Sequence, residues 1–211
     1  MSELRAHDKI DPTADAPGSA ARIGAWRRFG AAVRADHAAL ASADNRYAPG
    51  VHRSEGSLVG TFVRRIGFQM MVGYRVMRLC RDGGFGLGAR LASRWMRHLY
   101  AADIHWDAEL APGVIIVHGT GLVISHAARV GPGCILFQHV TLGVNIDMAT
   151  RETGAPVLEA NVHVGPGAVL LGPIVIGAGT KITANALLTR SVPPNSRVVT
   201  PEPVIHQRGD Q

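Results

Sequence analysis

Aliphatic residues recur at every sixth position through the second half of the chain, and this period constrains the fold more than any other feature. The most regular run is Leu158, Val164, Leu170, Ile176, Ile182 and Leu188. Small or β-branched residues follow four positions after each of them, at Val162, Ala168, Ile174, Thr180, Ala186 and Val192. A helix would need apolar residues every three or four positions, which this region lacks. Short repeated units that stack and bury one continuous core are therefore predicted.

The same period begins earlier in the chain and is interrupted once. It runs through Ile104, Leu110 and Ile116 and, after a phase slip of two residues, through Ile124, Val130, Leu136 and Leu142. Proline and glycine alternate with the aliphatic residues, at Pro112-Gly113, Pro132-Gly133 and Pro166-Gly167. Such pairs suit tight corners. The pattern predicts short strands joined by corners, stacked as parallel rungs of a solenoid.

The region before the repeat has helical signals. We expect helices over 21–43, 58–81 and 87–100, with Ser57 as the cap of the second helix and Gly83-Gly84 as its stop. The second helix carries an apolar stripe that predicts a packing seam. Its members are Leu58, Phe62, Ile66, Met70, Tyr74 and Met77.

The chain is expected to divide into four segments. Residues 1–20 mix charge with Pro, Gly and Ala and predict a disordered tail. A helical domain over 21–101, a coil domain over 102–196 and a C-terminal tail over 197–211 follow.

Composition limits the classes of function. Hydrophobic residues make up 46% of the 211 residues but aromatics only 5%, which fits a coil packed with aliphatic side chains. The net charge of +6 is compatible with nucleic acid, with an anionic cofactor or with an ordinary solvated surface. No nucleic-acid motif gathers that charge, so nucleic-acid binding is not expected. The longest apolar region contains arginines and no secretory signal is present, so we expect no integral membrane segment and a cytoplasmic protein.

An acid and a histidine are spaced so that they can meet on such a coil. Asp103 and His118 lie fifteen residues apart. A turn of about eighteen residues returns the chain nearly to its starting face, one rung along. His105, His126, His139 and His163 lack acids or cysteines at ligand spacing, so no metal site is expected. We give His105 a structural role.

With HGTG and VTLG inside it, the repeat resembles the hexapeptide-repeat acyltransferases and, among them, the serine O-acetyltransferases. The resemblance covers roughly residues 57 to 204, and IGFQMMVGYRV is similar to the segment that precedes the coil in that family. It implies an α+β fold, in which N-terminal helices precede a left-handed parallel β-helix. It also implies a homotrimer, with a dimer of trimers as a further possibility.

The resemblance implies an acetyl-CoA-dependent enzyme of cysteine biosynthesis that acetylates the hydroxyl of L-serine or a related small alcohol. The family motif DIHPGA...DHGTG carries a catalytic Asp and His, which correspond here to Asp103 and His118. His118 would be the general base and Asp103 its orienting partner. Acetyl-CoA would be the acyl donor, and no metal is required.

The resemblance also implies which residues line the donor site. The family's cofactor-lining segments correspond to Thr141, Leu142, Gly143, Gly177, Ala178, Gly179, Lys181 and Ala184. Small residues would let the pantetheine arm lie against the coil. Lys181 would meet a phosphate or, equally well, be a solvated lysine.

The acceptor half departs from the family. The repeat breaks between Leu142 and Leu158, where family members carry a loop whose Arg and His hold the carboxylate of serine. This chain has Gly154 and Ala155 there, and Val117 replaces an Asp beside the base. Candidate acceptor residues are therefore Val117, Arg151 and Ala155, with Arg151 and Glu152 able to fold back as replacements.

Two alternatives stay open. The first is a retargeted O-acetyltransferase that acts on a sugar, a polysaccharide precursor or a natural-product hydroxyl. The second is a catalytically weak trimeric scaffold. The tail PEPVIHQRGDQ lacks the terminal isoleucine by which many family members engage their sulfhydrylase partner, so no cysteine synthase complex is expected. Small-molecule substrates are the expected partners.

Overall fold

Helices precede a coil of short strands in the computed structural model, which describes residues 19–47, 56–147, 150–202 and 204. The helices are α1 (Ser19–Tyr47), α2 (Leu58–Arg64), α3 (Ile66–Asp82) and α4 (Gly86–Tyr100). The strands, in chain order, are β1 (Asp103–Ile104), β2 (Glu109–Leu110), β3 (Ile115–Ile116), β4 (Val123–Ile124), β5 (Arg129–Val130), β6 (Ile135–Leu136), β7 (Thr141–Gly143), β8 (Asn145–Ile146), β9 (Thr153–Gly154), β10 (Val157–Leu158), β11 (His163–Val164), β12 (Val169–Leu171), β13 (Val175–Ile176), β14 (Lys181–Ile182), β15 (Leu187–Leu188) and β16 (Arg197–Val198).

The strands form a three-sided parallel coil. The first sheet has the order β1-β4-β7-β12-β15, the second β2-β5-β10-β13 and the third β3-β6-β11-β14-β16. Each turn of the chain thus adds one strand to each sheet. The aliphatic residues of the sixfold period point inward, where Leu142, Leu170 and Ile176 are fully buried. The coil predicted from the repeat is confirmed.

The phase slip of two residues lies at one corner of the coil. Asp103 pairs with Val123, whereas Val123 pairs with Thr141, so the first turn is two residues longer than the second. The extra residues fall between β3 and β4, because Ile116 and Ile124 both remain inward. The enlarged corner is the one that carries HGTG.

The prediction of one continuous helix over 58–81 is wrong. Ser57 caps α2 as expected, since its Oγ accepts the Gly60 N–H at 3.1 Å. Arg65, however, has an extended backbone (φ −114°, ψ 101°) that separates α2 from α3. The apolar stripe is therefore a packing seam only in α3, where Met70 and Tyr74 are buried. Its earlier members, including Phe62, are exposed because helical spacing does not continue through an extended residue.

Two expected segment boundaries also differ. The first helix begins at Ser19, and the residues before it lie outside the described part. At the other end β16 pairs with β14, so the rungs continue to Val198, past residue 196. No helix of the described residues is both long and apolar enough to cross a bilayer.

A buried ion pair joins the helices to the first rung of the coil. Arg75 donates from Nε to Asp36 Oδ2 at 2.9 Å and from NH1 to the carbonyl of Leu110 at 2.7 Å. Asp36 Oδ1 also accepts the Gly113 N–H at 2.8 Å. Beside this pair, Tyr74 donates to the carbonyl of Ala108 at 2.5 Å, and burial raises the pKa of the Tyr74 phenol. The helical layer is thereby held on the coil by specific polar contacts as well as by apolar packing.

Gly67 sets the distance between α3 and the coil. A Cβ at this position would collide with the backbone carbonyl of Ile116, whose carbon would be 2.7 Å away. Gly67→Ala is therefore expected to lower the free energy of unfolding by about 1–3 kcal/mol through overpacking, as measured by urea denaturation. Gly73→Ala in the same helix is the matched control, because its Cβ would meet only the flexible end of Met96 at 3.0 Å. Equal effects of the two substitutions would contradict this account.

Candidate active site

The HGTG corner presents His118 to solvent. The corner is held by three short backbone bonds, in which Gly119 donates to Val117, Thr120 to His118 and Leu122 to Gly119, at 2.8, 2.9 and 3.1 Å. His118 has φ +65°, a left-handed conformation that is costly for a residue with a Cβ. The same conformation recurs at other turns of the coil, at His139, Asn161, Asn185 and Asn195, so it is a feature of the coil geometry. The enlarged corner therefore holds an exposed imidazole in a defined place.

Asp103 lies at the same corner on the adjacent rung. The Asp103 N–H donates to the carbonyl of Leu122 at 2.8 Å, and the Gly121 N–H donates to the carbonyl of Ala101 at 2.9 Å. The start of β1 thus stacks on the turn that contains His118. The structure brings the predicted acid and base to one corner, as their spacing indicates.

The carboxylate of Asp103 is engaged by a residue that the spacing did not suggest. Arg97, in the last turn of α4, donates from Nε to Asp103 Oδ1 at 2.9 Å. Within the part of the chain that the structure describes, the His118 side chain has no hydrogen bond. Arg97 therefore occupies one carboxylate oxygen of Asp103, its Oδ1. Its position depends on how α4 docks, so no motif in the sequence points to it.

The loop that is predicted to contact the acceptor is a β-hairpin. Strands β8 and β9 pair antiparallel, with Asn145 opposite Gly154. Asp147 closes the turn by accepting the Thr150 N–H at its Oδ1 and the Arg151 N–H at its carbonyl oxygen, at 3.0 and 2.8 Å. Arg151 and Glu152 are both exposed in this turn. That they fold back to replace the missing acceptor residues stays a prediction.

The three acceptor positions do not converge in one chain. Ala155 is buried, and a Cβ at Gly154 would meet Pro173 at 2.8 Å, so both positions are committed to packing. Val117 packs against the cluster of Ile115 and Ile135 under α1. The hairpin leaves the coil between the first and second sheets, whereas His118 lies between the third and first. The structure therefore separates the hairpin from His118 by one side of the coil.

The donor positions divide into two groups. Leu142 is fully buried, because its side chain fills the core; only its backbone can meet a ligand. Gly177 is also committed to packing, since a Cβ there would lie 2.6 Å from Pro194 Cα. The resemblance implies that both residues line the pantetheine arm. In this chain they could contact it only through their backbone atoms.

The remaining donor positions lie at or near the surface: Thr141, Gly143, Ala178, Gly179, Lys181 and Ala184. The Ala178 N–H donates to Glu159 Oε2 at 2.8 Å. Lys181 is in register with His163 on one side and Arg197 on the other, so three basic side chains stand at successive rungs of the third sheet. The repeat alone did not predict that His163 and Arg197 would lie next to Lys181 on adjacent strands.

The other histidines lie away from the HGTG turn or pack against it. His105 accepts the Asp107 N–H at Nδ1 at 3.0 Å and contacts the His126 ring at a centroid distance of 5.7 Å. The ring of His139 packs on Gly121, where a Cβ would meet its Cε1 at 2.7 Å. Among the described residues, no group of three or more His, Cys, Asp or Glu side chains is placed to hold a metal ion.

Known proteins share the repeat and much of the sequence. The family model of the bacterial transferase hexapeptide (six repeats) matches residues 155–190. The serine acetyltransferase of Synechococcus elongatus is 38% identical over 144 residues, which are 68% of this chain and 58% of the relative. That of Mycobacterium tuberculosis is 37% identical over 67% of this chain and 61% of its own. That of Helicobacter pylori is 32% identical over 63% of this chain and 77% of its own length. The chain thus spans about three fifths of the first two relatives.

Solved structures share the architecture. Serine acetyltransferase isoform 3 of Entamoeba histolytica, in complex with cysteine, superposes with a TM-score of 0.71 and 25% identity, covering 90% of this chain and 65% of that one. The Neisseria gonorrhoeae serine acetyltransferase, in complex with serine, gives the same TM-score and identity over 85% of this chain and 69% of its own. The predicted fold, N-terminal helices followed by a left-handed parallel β-helix of hexapeptide repeats, is confirmed. By sequence and by fold, the chain belongs to the serine acetyltransferase family.

Proposed function

We propose that this chain is an acetyl-CoA-dependent O-acetyltransferase of the serine acetyltransferase type, which transfers acetyl to the hydroxyl of L-serine or a related small alcohol. The observation that carries the proposal is the stacking of Asp103 on the exposed turn of His118. An alcohol is a weak nucleophile until a base removes its proton in the transition state. This corner supplies an imidazole with a carboxylate beside it.

In the proposed reaction His118 acts as the general base. The imidazole takes the hydroxyl proton while the hydroxyl oxygen attacks the thioester carbonyl, forming a tetrahedral intermediate. The C–S bond then breaks, and the imidazolium returns the proton to the departing thiolate, which yields the O-acetyl ester and coenzyme A. Asp103 would accept a hydrogen bond from the other ring nitrogen and stabilise the imidazolium. Arg97, which donates from Nε to Asp103 Oδ1 at 2.9 Å, would restrict the orientation of that carboxylate.

We further propose that the protein is a cytoplasmic homotrimer, with pairing of trimers as a further step and with no cysteine synthase complex. The separation of Arg151 from His118 within one chain supports an assembly. If the hairpin and the base both contact the acceptor, they must come from different copies. A closed three-fold arrangement would supply each base with a neighbour's hairpin.

A retargeted acceptor is the second candidate, and the acceptor hairpin favours it. The positions that hold the carboxylate of serine in the family are Gly154 and Ala155, which are packed and carry no charge. Val117 is likewise committed to an apolar cluster. These surroundings offer no charged group to bind the carboxylate or ammonium of an amino acid. A neutral hydroxyl compound needs no such group.

Release of thiol from acetyl-CoA by the purified protein would test both candidates, with L-serine, homoserine and a panel of sugars as acceptors. Serine-dependent release would establish a serine acetyltransferase. Release with another alcohol alone would establish the retargeted enzyme. If no acceptor gives release and the protein also fails to bind coenzyme A, the protein is a scaffold and the enzymatic proposal is wrong.

Lys181 tests the donor side of the proposal. Strands in a sheet lie roughly 4.8 Å apart, so His163, Lys181 and Arg197 form a compact basic row that suits the phosphates of coenzyme A. Lys181→Gln is expected to raise KM for acetyl-CoA about fivefold, with little change in kcat, because one exposed charge contact contributes about 1 kcal/mol. Arg190→Gln, an exposed cation elsewhere on the coil, is the matched control. An unchanged KM for acetyl-CoA at low salt would show that Lys181 does not bind the donor.

A further inference from the structure

A cleft of about 870 Å³ lies between the helices and the second sheet of the coil. One side of it is formed by α1 and α3, and the other by residues of β2, β5 and β10. His118 stands at the corner between the third and first sheets, so the cleft opens on a different side of the coil from the base. Pockets that bind small molecules have volumes of about 300–1,000 Å³. The cleft is therefore large enough to hold a ligand of its own.

The inner surface of the cleft is mostly apolar. Ala32 and Ala35 of α1 face it, and their short side chains leave room between the helix and the coil. Leu79 of α3 and Val157 of β10 line it from the other directions. Because burial of apolar area drives binding to such a surface, a ligand of the cleft needs an apolar body.

Arginines outnumber carboxylates around the cleft. Four arginines line it, on α1, α3 and β5: Arg28, Arg75, Arg78 and Arg129. Three of these are paired with carboxylates: Arg28 with Asp82 at 3.8 Å, Arg75 with Asp36 at 2.9 Å and Arg129 with Glu109 at 3.3 Å. The ion pairs therefore account for every lining arginine except Arg78.

Arg78 has a hydrogen-bond partner but no counter-charge. Its NH1 donates to the carbonyl of Trp106 at 3.2 Å, and its side chain is half-buried. A carbonyl oxygen satisfies one N–H without neutralising the guanidinium, and in the part of the chain that the structure describes Arg78 forms no ion pair. A guanidinium carries five N–H donors in a planar fork that matches a carboxylate or a phosphate. Arg78 thus offers an anion-binding group at the edge of an apolar cleft.

We propose that the cleft binds a small amphipathic anion. Its apolar body lies between α1 and the second sheet, and its single anionic group pairs with Arg78. A ligand in this place contacts α1, α3 and the coil together, so its binding stabilises the docking of the helices on the coil. The proposal does not depend on which hydroxyl the protein acetylates.

The charge of Arg78 selects an anion over other amphipathic ligands. A neutral apolar ligand would cover part of the guanidinium and leave it further from water with no counter-charge, which is costly. A cationic ligand would add repulsion to that cost. An anion forms charge-assisted hydrogen bonds with the fork, which are about twice as strong as neutral ones.

Isothermal titration calorimetry of the full chain with decanoate tests the proposal. We expect one decanoate to bind per chain, below the concentration at which decanoate forms micelles. Decanol has the same apolar chain without the charge and is expected to bind at least about tenfold more weakly. Decyl phosphate is the second anionic probe, and the tighter-binding anion identifies the head group. Failure of both anions to bind, or decanol binding as tightly as they do, would overturn the proposal.

Two substitutions separate the charge of the cleft from its volume. Arg78→Gln is expected to weaken decanoate binding about tenfold and to leave decanol binding unchanged. Arg94→Gln, which removes an exposed arginine of α4, is the matched control and should change neither.

Ala35→Leu fills part of the cleft and should weaken both ligands by about fivefold or more. Ala38→Leu is its control, because Ala38 is exposed on the same helix and does not line the cleft. Circular dichroism checks that each variant is folded before titration. Equal effects within either pair, Arg78 with Arg94 or Ala35 with Ala38, would reject the cleft as the binding site.

Hydrogen exchange gives an independent readout of where the ligand binds. Decanoate at saturation is expected to slow amide exchange in α1 and α3, which border the cleft, because the bound ligand disfavours their local opening. Helix α4 contributes no residue to the cleft and is the internal reference. Protection of α4 without protection of α1 would place the ligand elsewhere and contradict the proposal.

Discussion

Replacing His118 with glutamine is expected to lower kcat for acetyl transfer by about 10²–10⁴-fold, the contribution of a general base to such a reaction. The imidazole stands on a turn at the coil corner, and residues 117–121 contain no other imidazole and no carboxylate. Glutamine keeps the size and polarity of the side chain but cannot take the proton. The measurement is thiol release from acetyl-CoA with whichever acceptor supports turnover.

Two comparisons make the His118 result interpretable. His98→Gln removes an imidazole that is exposed on α4 and should leave kcat within about twofold, as surface substitutions away from a site usually do. Binding of coenzyme A to the His118 variant should be retained, because His118 is not among the residues that we propose for the donor site. Turnover by His118→Gln at the rate of the unsubstituted protein would refute the assignment of the base, although not the membership of the family.

Substitution of Asp36 by alanine is expected to lower the free energy of unfolding by about 3–5 kcal/mol, because it leaves the guanidinium of Arg75 buried without its counter-charge. Both residues are buried, and the pair holds α1 and α3 to the first rung of the coil. Urea denaturation at a fixed protein concentration measures the loss.

A second ion pair in the same protein provides the matched comparison. Arg129 and Glu109 lie 3.3 Å apart on the second sheet, but both side chains are largely exposed. Glu109→Ala should therefore cost no more than about 1 kcal/mol. A double variant, Asp36→Leu with Arg75→Met, should be more stable than Asp36→Ala because neither buried charge is left alone. If the buried and exposed pairs cost the same, the Asp36–Arg75 pair does not hold the helices to the coil.

Much of the fold could be predicted because burial in a coil repeats locally. Each rung needs an aliphatic residue at the same place, so the sixfold period of Leu158 to Leu188 is enough to indicate the coil. The corner residues and the proximity of Asp103 to His118 follow from the same arithmetic. The break at Arg65 could not be predicted in this way, since an unbroken apolar stripe runs across it.

The candidate site, like the fold, was predictable where it depends on short motifs and unpredictable where it depends on packing. The motifs around His118 and Thr141 indicate an acyltransferase. In a repeat, the position of a short segment along the sequence also determines its place on the coil. The positions of the other side chains around the site cannot be predicted in this way. Arg97 reaches Asp103 only because α4 ends beside β1, and Val117 turns from the site to the apolar cluster under α1.

By itself, the sequence determined the three-sided coil, the helices before it and the corner at which an acid meets a histidine. These are consequences of local period and spacing, which act within one or two turns of the chain. The tertiary structure alone decided that Arg97 holds the acid, that the acceptor hairpin stands a side of the coil away from the base, and that α4 turns its leucines and Trp95 to solvent. Each of these depends on how separate elements pack on one another, and no single segment of the sequence contains that information.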